Sequence, residues 1–262
     1  MQQLESYIKS LAKEGLCVAF SGGVDSSLLL KIACQSGETV HAVTFNTKLH
    51  PKADLEVASK IANEVGAVHK VICIDELEIE EIIDNPPERC YHCKRHLFAN
   101  LIQYAADNNL KYIIDGTNYN DLSEYRPGLK ALEELGIISP LAKLQITKEQ
   151  IRSHAKTLGL SVHNRPSAPC LATRLPYYTK LDMEILNNID KAEEKLKDYG
   201  FATNRVRLHQ NIARIEVPKS DLQSLLAQHE KIVIDFKKLG FAYITMDMQG
   251  FRSGSMDEVS KY

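Results

Sequence analysis

Several ordinary features are missing from this 262-residue chain, and each absence excludes something. No apolar run approaches the ~20 residues of a membrane-spanning helix. The N-terminus, Met-Gln-Gln-Leu-Glu-Ser, does not read as a secretion signal, so the expected location is the cytoplasm. Neither charge dominates. The 32 Lys and Arg stand against 34 Asp and Glu, a net of −2, which gives no global reason to expect a nucleic-acid partner. There is no internal repeat or low-complexity segment. The GxxxxGK[ST] spacing of a Walker loop does not occur, and no second CxxC completes a four-ligand zinc site. What remains, 44% apolar and 25% charged, is the composition of a soluble globular protein with room for one medium and one small domain.

The most informative stretch is Ser21-Gly22-Gly23-Val24-Asp25-Ser26-Ser27. An apolar strand-like segment, Cys17-Val18-Ala19-Phe20, precedes it, and the breaker-free run Leu28-Leu29-Leu30-Lys31-Ile32-Ala33-Cys34 follows as a helix. A strand that turns through glycines into a helix presents unpaired N–H groups to an anion, and the serine hydroxyls add neutral donors. The stretch resembles the SGGxDS signature of the ATP pyrophosphatases, or PP-loop enzymes. That likeness implies splitting of ATP to AMP and pyrophosphate, with Ser21, Gly22, Gly23, Asp25, Ser26 and Ser27 at the nucleotide. Asp25 suits support of Mg²⁺ there and equally suits the start of the helix.

Further strands are expected at 38–45, 67–74 and 110–115, with helices from Pro51 to Val65 and over 89–106. Strands alternating with helices predict an α/β fold with a doubly wound parallel sheet. Ligands of such sheets bind outside the carboxyl ends of the strands, which makes Thr44, the 46–48 loop and the segment Gly116-Thr117-Asn118-Tyr119-Asn120-Asp121 candidate nucleotide contacts. Thr147 with Gln150 forms a capping box for a helix to Leu158. Residues 166–176 are a loop rich in breakers, and a domain boundary is placed near Tyr178. This divides the chain into a nucleotide domain, 1–178, and a small C-terminal α+β domain, 179–262. The second domain holds a helix over 182–199, strands at 204–208, 213–217 and 242–246, a helix from Ser220, and a loose tail over 253–257.

The six cysteines fall into two groups. Cys17, Cys34 and Cys73 lie inside apolar segments and read as small core residues. Cys90, Cys93 and Cys170 lie among polar residues. Cys90-Tyr91-His92-Cys93 has the spacing that lets two thiolates meet one metal, and with Cys170 it suits a 4Fe–4S cluster with one iron open. A redox pair, or three unrelated thiols, are the alternatives.

Residues 85–94, Gly116-Thr117-Asn118, Tyr125-Arg126-Pro127-Gly128-Leu129 and the 166–174 segment around Cys170 resemble the LarE family of sulfur transferases, PP-loop enzymes of nickel-pincer nucleotide cofactor assembly. The likeness continues through Arg205-Val206-Arg207-Leu208-His209, Glu216 and Arg252. It implies adenylation of a carboxylate of pyridinium bis-carboxylic acid mononucleotide, then displacement of AMP by sulfur to leave a thiocarboxylate. Sulfur comes either from Cys170 itself, sacrificed in the reaction, or through a cluster on Cys90, Cys93 and Cys170; having all three cysteines favours the cluster. Arg205, Arg207 and Arg252 are implied to bind the substrate phosphate, and Glu194 and Glu216 to lie near the reactive cysteine as acid/base or metal contacts. Arg174 either lowers a thiolate pKa or fixes the loop. ATP, Mg²⁺ and a homo-oligomer are implied as well. A tRNA thiolase, an ATP-dependent amidotransferase and a non-catalytic nucleotide-binding module remain as other readings.

Overall fold

The computed structural model describes residues 1–50, 52–123, 126–166, 169–252 and 254–258. The chain divides into two units, Met1–Ile82 with Pro87–Ser167 and Ile83–Pro86 with Ala168–Tyr262. In the first, α1 (Gln2–Ala12) leads into β1 (Leu16–Ala19), α2 (Val24–Cys34), β2 (Val40–Thr47), α3 (Lys52–Val65) and β3 (Val68–Ile74). Then come α4 (Glu80–Ile83), α5 (Arg89–Asp107), β4 (Tyr112–Ile114), α6 (Gly128–Glu134), α7 (Pro140–Lys143) and α8 (Lys148–Thr157). The expected helix start at Pro51 lies outside the described residues, as do Tyr125, Ser167 and Ala168. The capping box at Thr147 and Gln150 is present.

The four strands are parallel, in the order β3-β2-β1-β4. Parallel neighbours need crossover connections, which α2, α3 and α5 supply. Central β1 is covered on both faces. Leu16 and Val18 pack with α1, α2, α3 and α8, while Cys17 packs with Val43 and with Leu97, Phe98 and Leu101 of α5. Two covered faces are why this strand reads as an apolar run with no polar alternation. Burial pushes the Cys17 thiol up to about 12 and Cys34 up to about 11, so neither is a nucleophile at neutral pH. Cys73 departs from the core expectation: it is exposed, because β3 is an edge strand. The chain steps from β1 to β3 in one direction, then returns through α5 to lay β4 on the other side of β1. The crevice between the ends of β1 and β4 is therefore the topological switch point.

The second unit holds α9 (Met183–Asp198), β5 (Arg205–His209), β6 (Ile212–Glu216), α10 (Leu222–Ala227), α11 (His229–Lys238) and β7 (Tyr243–Met246). Its sheet runs β5-β6-β7, antiparallel at the first pairing and parallel at the second. Asp182 caps α9 by accepting from the N–H groups of Glu184 (2.7 Å) and Ile185 (3.1 Å). The division falls ahead of Tyr178 for a local reason. Residues 175–181 bond to the segment 83–86, through Tyr178 N–H to Asn85 O (3.0 Å), Leu181 N–H to Ile83 O (2.8 Å) and Asn85 Nδ2 to Pro176 O (2.8 Å). The tail departs from the expectation of looseness where it is described. Ser255 is buried and donates to Glu216, and Glu258 is paired with Arg252. Ser253 lies outside the described residues.

Candidate active site

The turn after β1 is shaped by close packing. Gly22 has φ +69°, and a Cβ there would lie 3.0 Å from the Cα and N of Ala58 on α3, so only glycine fits both the backbone angle and the space. Gly23 is the residue before the first turn of α2. Within the loop, Ser26 Oγ donates to Gly23 O (3.2 Å) and lies 3.2 Å from Ser21 Oγ, which accepts from Gly23 N–H (3.3 Å). Ser27 Oγ and Asp25 Oδ1 are buried and have no hydrogen-bond partner among the described residues. Buried polar atoms are normally satisfied, so two of them at a helix start over a sheet switch point mark a place for a ligand.

The surrounding loops converge on this point. Gly116, after β4, approaches so closely that a Cβ would lie 3.1 Å from Ser26 N and 3.3 Å from Asp25 Cβ. Lys148, at the start of α8, is hydrogen-bonded through Nζ to Asp25 Oδ2, and its N–H donates to Asn120 Oδ1 (2.8 Å). Asp121 accepts from Asn118 N–H (3.0 Å), and burial raises its pKa. Two of the expected nucleotide contacts have their hydroxyls committed elsewhere. Thr44 Oγ1 donates to Phe20 O (2.8 Å) and accepts from His69 Nε2 (2.9 Å), and Thr117 Oγ1 donates to Asp115 Oδ2 (2.6 Å). These bonds fix both side chains at the rim.

Cys90 and Cys93 occupy the first turn of α5. Because α5 runs back to start β4, that turn lies at the carboxyl rim of the sheet; Lys94 Nζ reaches to 3.9 Å from the buried Asp115 there. Cys90 is exposed, with Arg89 Nη2 3.7 Å from its sulfur, and Cys93 is half-buried.

Cys170 belongs to the second unit, directly before the turn Leu171–Arg174. Arg174 is 1% exposed and forms a two-pronged pair with Glu193, Nε to Oε1 at 2.8 Å and Nη2 to Oε2 at 2.9 Å. Its Nη1 donates to the carbonyls of Pro169 (3.0 Å) and Cys170 (3.3 Å), so Arg174 fixes the loop through its backbone. Burial would raise the Glu193 pKa; its bonds to Arg174 outweigh that and hold it below the ordinary carboxylate value. Glu194, the expected acid, is exposed on α9, and its neighbour Glu193 is the carboxylate that pairs with Arg174 of the cysteine loop.

Arg205 and Arg207 both come from β5. Register pairs Arg207 directly with Arg214 of β6, an unfavourable juxtaposition that fully buried Glu216 offsets. Glu216 Oε2 accepts from Arg207 Nε (3.1 Å), and Oε1 accepts from Arg214 Nη2 (3.1 Å) and Ser255 Oγ (2.5 Å). Burial brings Arg205 down to about 10, with Arg174 and Arg207 adding to the shift, and burial also lowers Arg207. Arg252 is held by Glu258, Nε–Oε1 2.6 Å and Nη2–Oε2 2.8 Å, and donates to Asp247 (3.0 Å). The unit thus gathers basic side chains around fewer carboxylates, an arrangement suited to a phosphate.

Among the described residues, no three His, Cys, Asp or Glu side chains are assembled as a metal site. Cys90 and Cys93 sit in one unit and Cys170 in the other. The residues missed by reading the sequence are Lys148, Glu193 and Arg214. Only Glu193 left a local signal: it shares the buried helical spacing of Leu186, Ile189 and Leu196.

A family model described as queuosine biosynthesis protein QueC matches residues 16–85, the span from β1 past β3 that carries the phosphate loop. The pyridinium-3,5-bisthiocarboxylic acid mononucleotide synthase of Lactiplantibacillus plantarum is 37% identical over 243 residues, 92% of this chain and 88% of that protein. Uncharacterised proteins of Synechocystis sp. (36% over 264 residues, 98% of each chain) and Methanocaldococcus jannaschii (36% over 238, 91% of each) are similar along nearly their whole length. Among the described residues, no helix is long and apolar enough to cross a membrane.

Proposed function

This chain belongs to the LarE family of PP-loop enzymes, ATP-dependent sulfurtransferases, and from that membership we propose that it makes the thiocarboxylate of a pyridinium mononucleotide. The observation that carries the reading is the SGGVDSS turn, with the buried, unpartnered Ser27 Oγ and Asp25 Oδ1 at the sheet switch point. A carboxylate resists nucleophiles because attack adds charge to an anion. Transfer of AMP to a carboxylate oxygen of the substrate removes that charge and installs a leaving group. The N–H groups at the start of α2 hold the phosphates, and Lys148 adds a cation. Mg²⁺, when bound, offsets triphosphate charge. Asp25 would hold it, since one of its carboxylate oxygens is already free of other bonds. Arg205, Arg207 and Arg252 hold the substrate's phosphate, which takes over from Glu258 the fork of Arg252. Glu216 keeps the arginines in register.

Cys170 brings the sulfur. The donor set of Cys90, Cys93 and Cys170 suits a 4Fe–4S cluster, whose open iron would supply sulfide. The second reading is sacrifice of the Cys170 sulfur, which needs that one residue alone. We extend the proposal to a cytoplasmic homo-oligomer.

The test is turnover of anaerobically purified protein with ATP and the dicarboxylate mononucleotide, with iron and acid-labile sulfide measured beforehand. Multiple turnovers that vanish in a Cys90→Ser, Cys93→Ser variant support the cluster. A single turnover, with Cys170 losing the mass of hydrogen sulfide, supports sacrifice and refutes the cluster. No thiocarboxylate from any preparation refutes the whole proposal.

A further inference from the structure

A turn containing two adjacent glycines needs an external restraint. Glycine populates positive and negative φ with similar ease, so the Gly22–Gly23 peptide can rotate and change the shape of the loop. One restraint is Ala58, already described. The other comes from Arg165, beyond α8. Its Nη1 donates to Gly22 O (3.3 Å), and its Nη2 bonds to Asp54 Oδ1 (2.5 Å) on α3. Asp54 and Ala58 are four residues apart on that helix, so one face of α3 supplies both the wall against Gly22 and the anchor for the arginine. The arginine's own backbone is held in turn. Arg152 of α8 donates to His163 O (2.7 Å) and Arg165 O (3.0 Å), and Arg165 N–H donates to Val162 O (2.9 Å).

A trans peptide points its C=O and N–H in opposite directions. Fixing Gly22 O toward Arg165 therefore aims Gly23 N–H away from it and toward Ser21 Oγ, across the loop. Arg165 and Asp54 are both largely shielded from water, at 24% and 21% side-chain exposure, so their pair is not a solvated surface bridge.

We propose that Arg165, anchored by Asp54, is a positioning residue that holds the Gly22–Gly23 peptide and, through the Gly23 N–H bond to Ser21 Oγ, the shape of the phosphate loop. The inference rests on the reading of this loop as the ATP site. It assigns Arg165 a role toward the phosphates and none toward the nucleoside.

The test compares two ligands on intact protein by calorimetry: a non-hydrolysable α,β-methylene ATP with Mg²⁺, and adenosine. In Arg165→Met, affinity for the ATP analogue falls by about ten-fold or more, as for loss of a hydrogen bond to a charged group, while adenosine affinity is retained. Arg165→Lys keeps a cation for Asp54 without the fork and shows the same split in smaller measure, which preserves the test if the Met variant does not fold. Asp54→Asn shows it too, and added guanidinium ion partly restores the Met variant. Unchanged affinity for the ATP analogue overturns the inference, as does equal weakening of both ligands, the mark of a general loosening. Wild-type protein that binds neither ligand overturns the ATP-site reading, and this inference with it.

Discussion

Glu193 and Glu194 are neighbours in sequence with opposite surroundings, and exchanging each for glutamine separates them. Glu193→Gln removes the charge facing Arg174, which is 1% exposed, and sets an amide N–H₂ against a guanidinium donor. Breaking a buried pair in this way costs about 3–5 kcal/mol, because the remaining charge is left uncompensated. At ~2–4 °C per kcal/mol for a chain of this size, the melting temperature should drop by about 6–20 °C. Glu194→Gln, at an exposed position, should stay within ~0.5 kcal/mol of wild type. The pH dependence has a definite sign. The folded pKa of Glu193 is depressed, so its contribution is present above the ordinary glutamate value and is lost as pH falls through the depressed one. The gap between wild type and Glu193→Gln therefore narrows on acidification. Thermal unfolding followed by circular dichroism at neutral and acidic pH measures both effects. Sulfur transfer should fall in Glu193→Gln as well, since Arg174 also holds the carbonyls of Pro169 and Cys170. A Glu193→Gln protein that melts with the wild type, or a gap that widens in acid, would refute the reasoning.

Two further substitutions probe the anion sites. Gly22→Ala should weaken Mg-ATP binding more than it weakens the fold. Positive φ costs about 1–2 kcal/mol, and the new Cβ meets the α3 backbone at 3.0 Å. Gly37→Ala, also at positive φ but with nothing within 4 Å, is the control, and equal ATP affinity in the two variants would count against the cradle. Glu258→Gln should raise the affinity of the second unit for inorganic phosphate, read as a larger thermal shift at equal phosphate concentration, because it weakens the fork now engaging Arg252. No change would argue against Arg252 as a phosphate ligand.

The features legible in the chain were those built from adjacent residues. The strand, glycine turn and helix of residues 16–34 are contiguous, and so is the capping box at Thr147 and Gln150. The alternation of strands and helices was sufficient to predict the parallel sheet, since such neighbours require crossovers. Cys73 was misjudged because an apolar strand reads alike at the centre and at the edge of a sheet. The likeness names Glu194, and only the packing of α9 shows that its neighbour Glu193 is the buried acid paired with Arg174.

Side-chain pairing across the chain left no such trace. Lys148 meets Asp25 over 123 residues, and Arg165 meets Gly22 over 143. Arg207 stands opposite Arg214 only once β5 and β6 are in register, and only then does Glu216 become the carboxylate between them. The order of residues decided the phosphate loop and the class of fold, because a turn and a helix start depend on backbone preferences acting over a few positions. The tertiary structure alone decided which charges are buried, which acid holds the Cys170 loop and what restrains Gly22. Burial and pairing are properties of neighbours in space, and within each unit the packing of its sheet against its own helices brings those neighbours together.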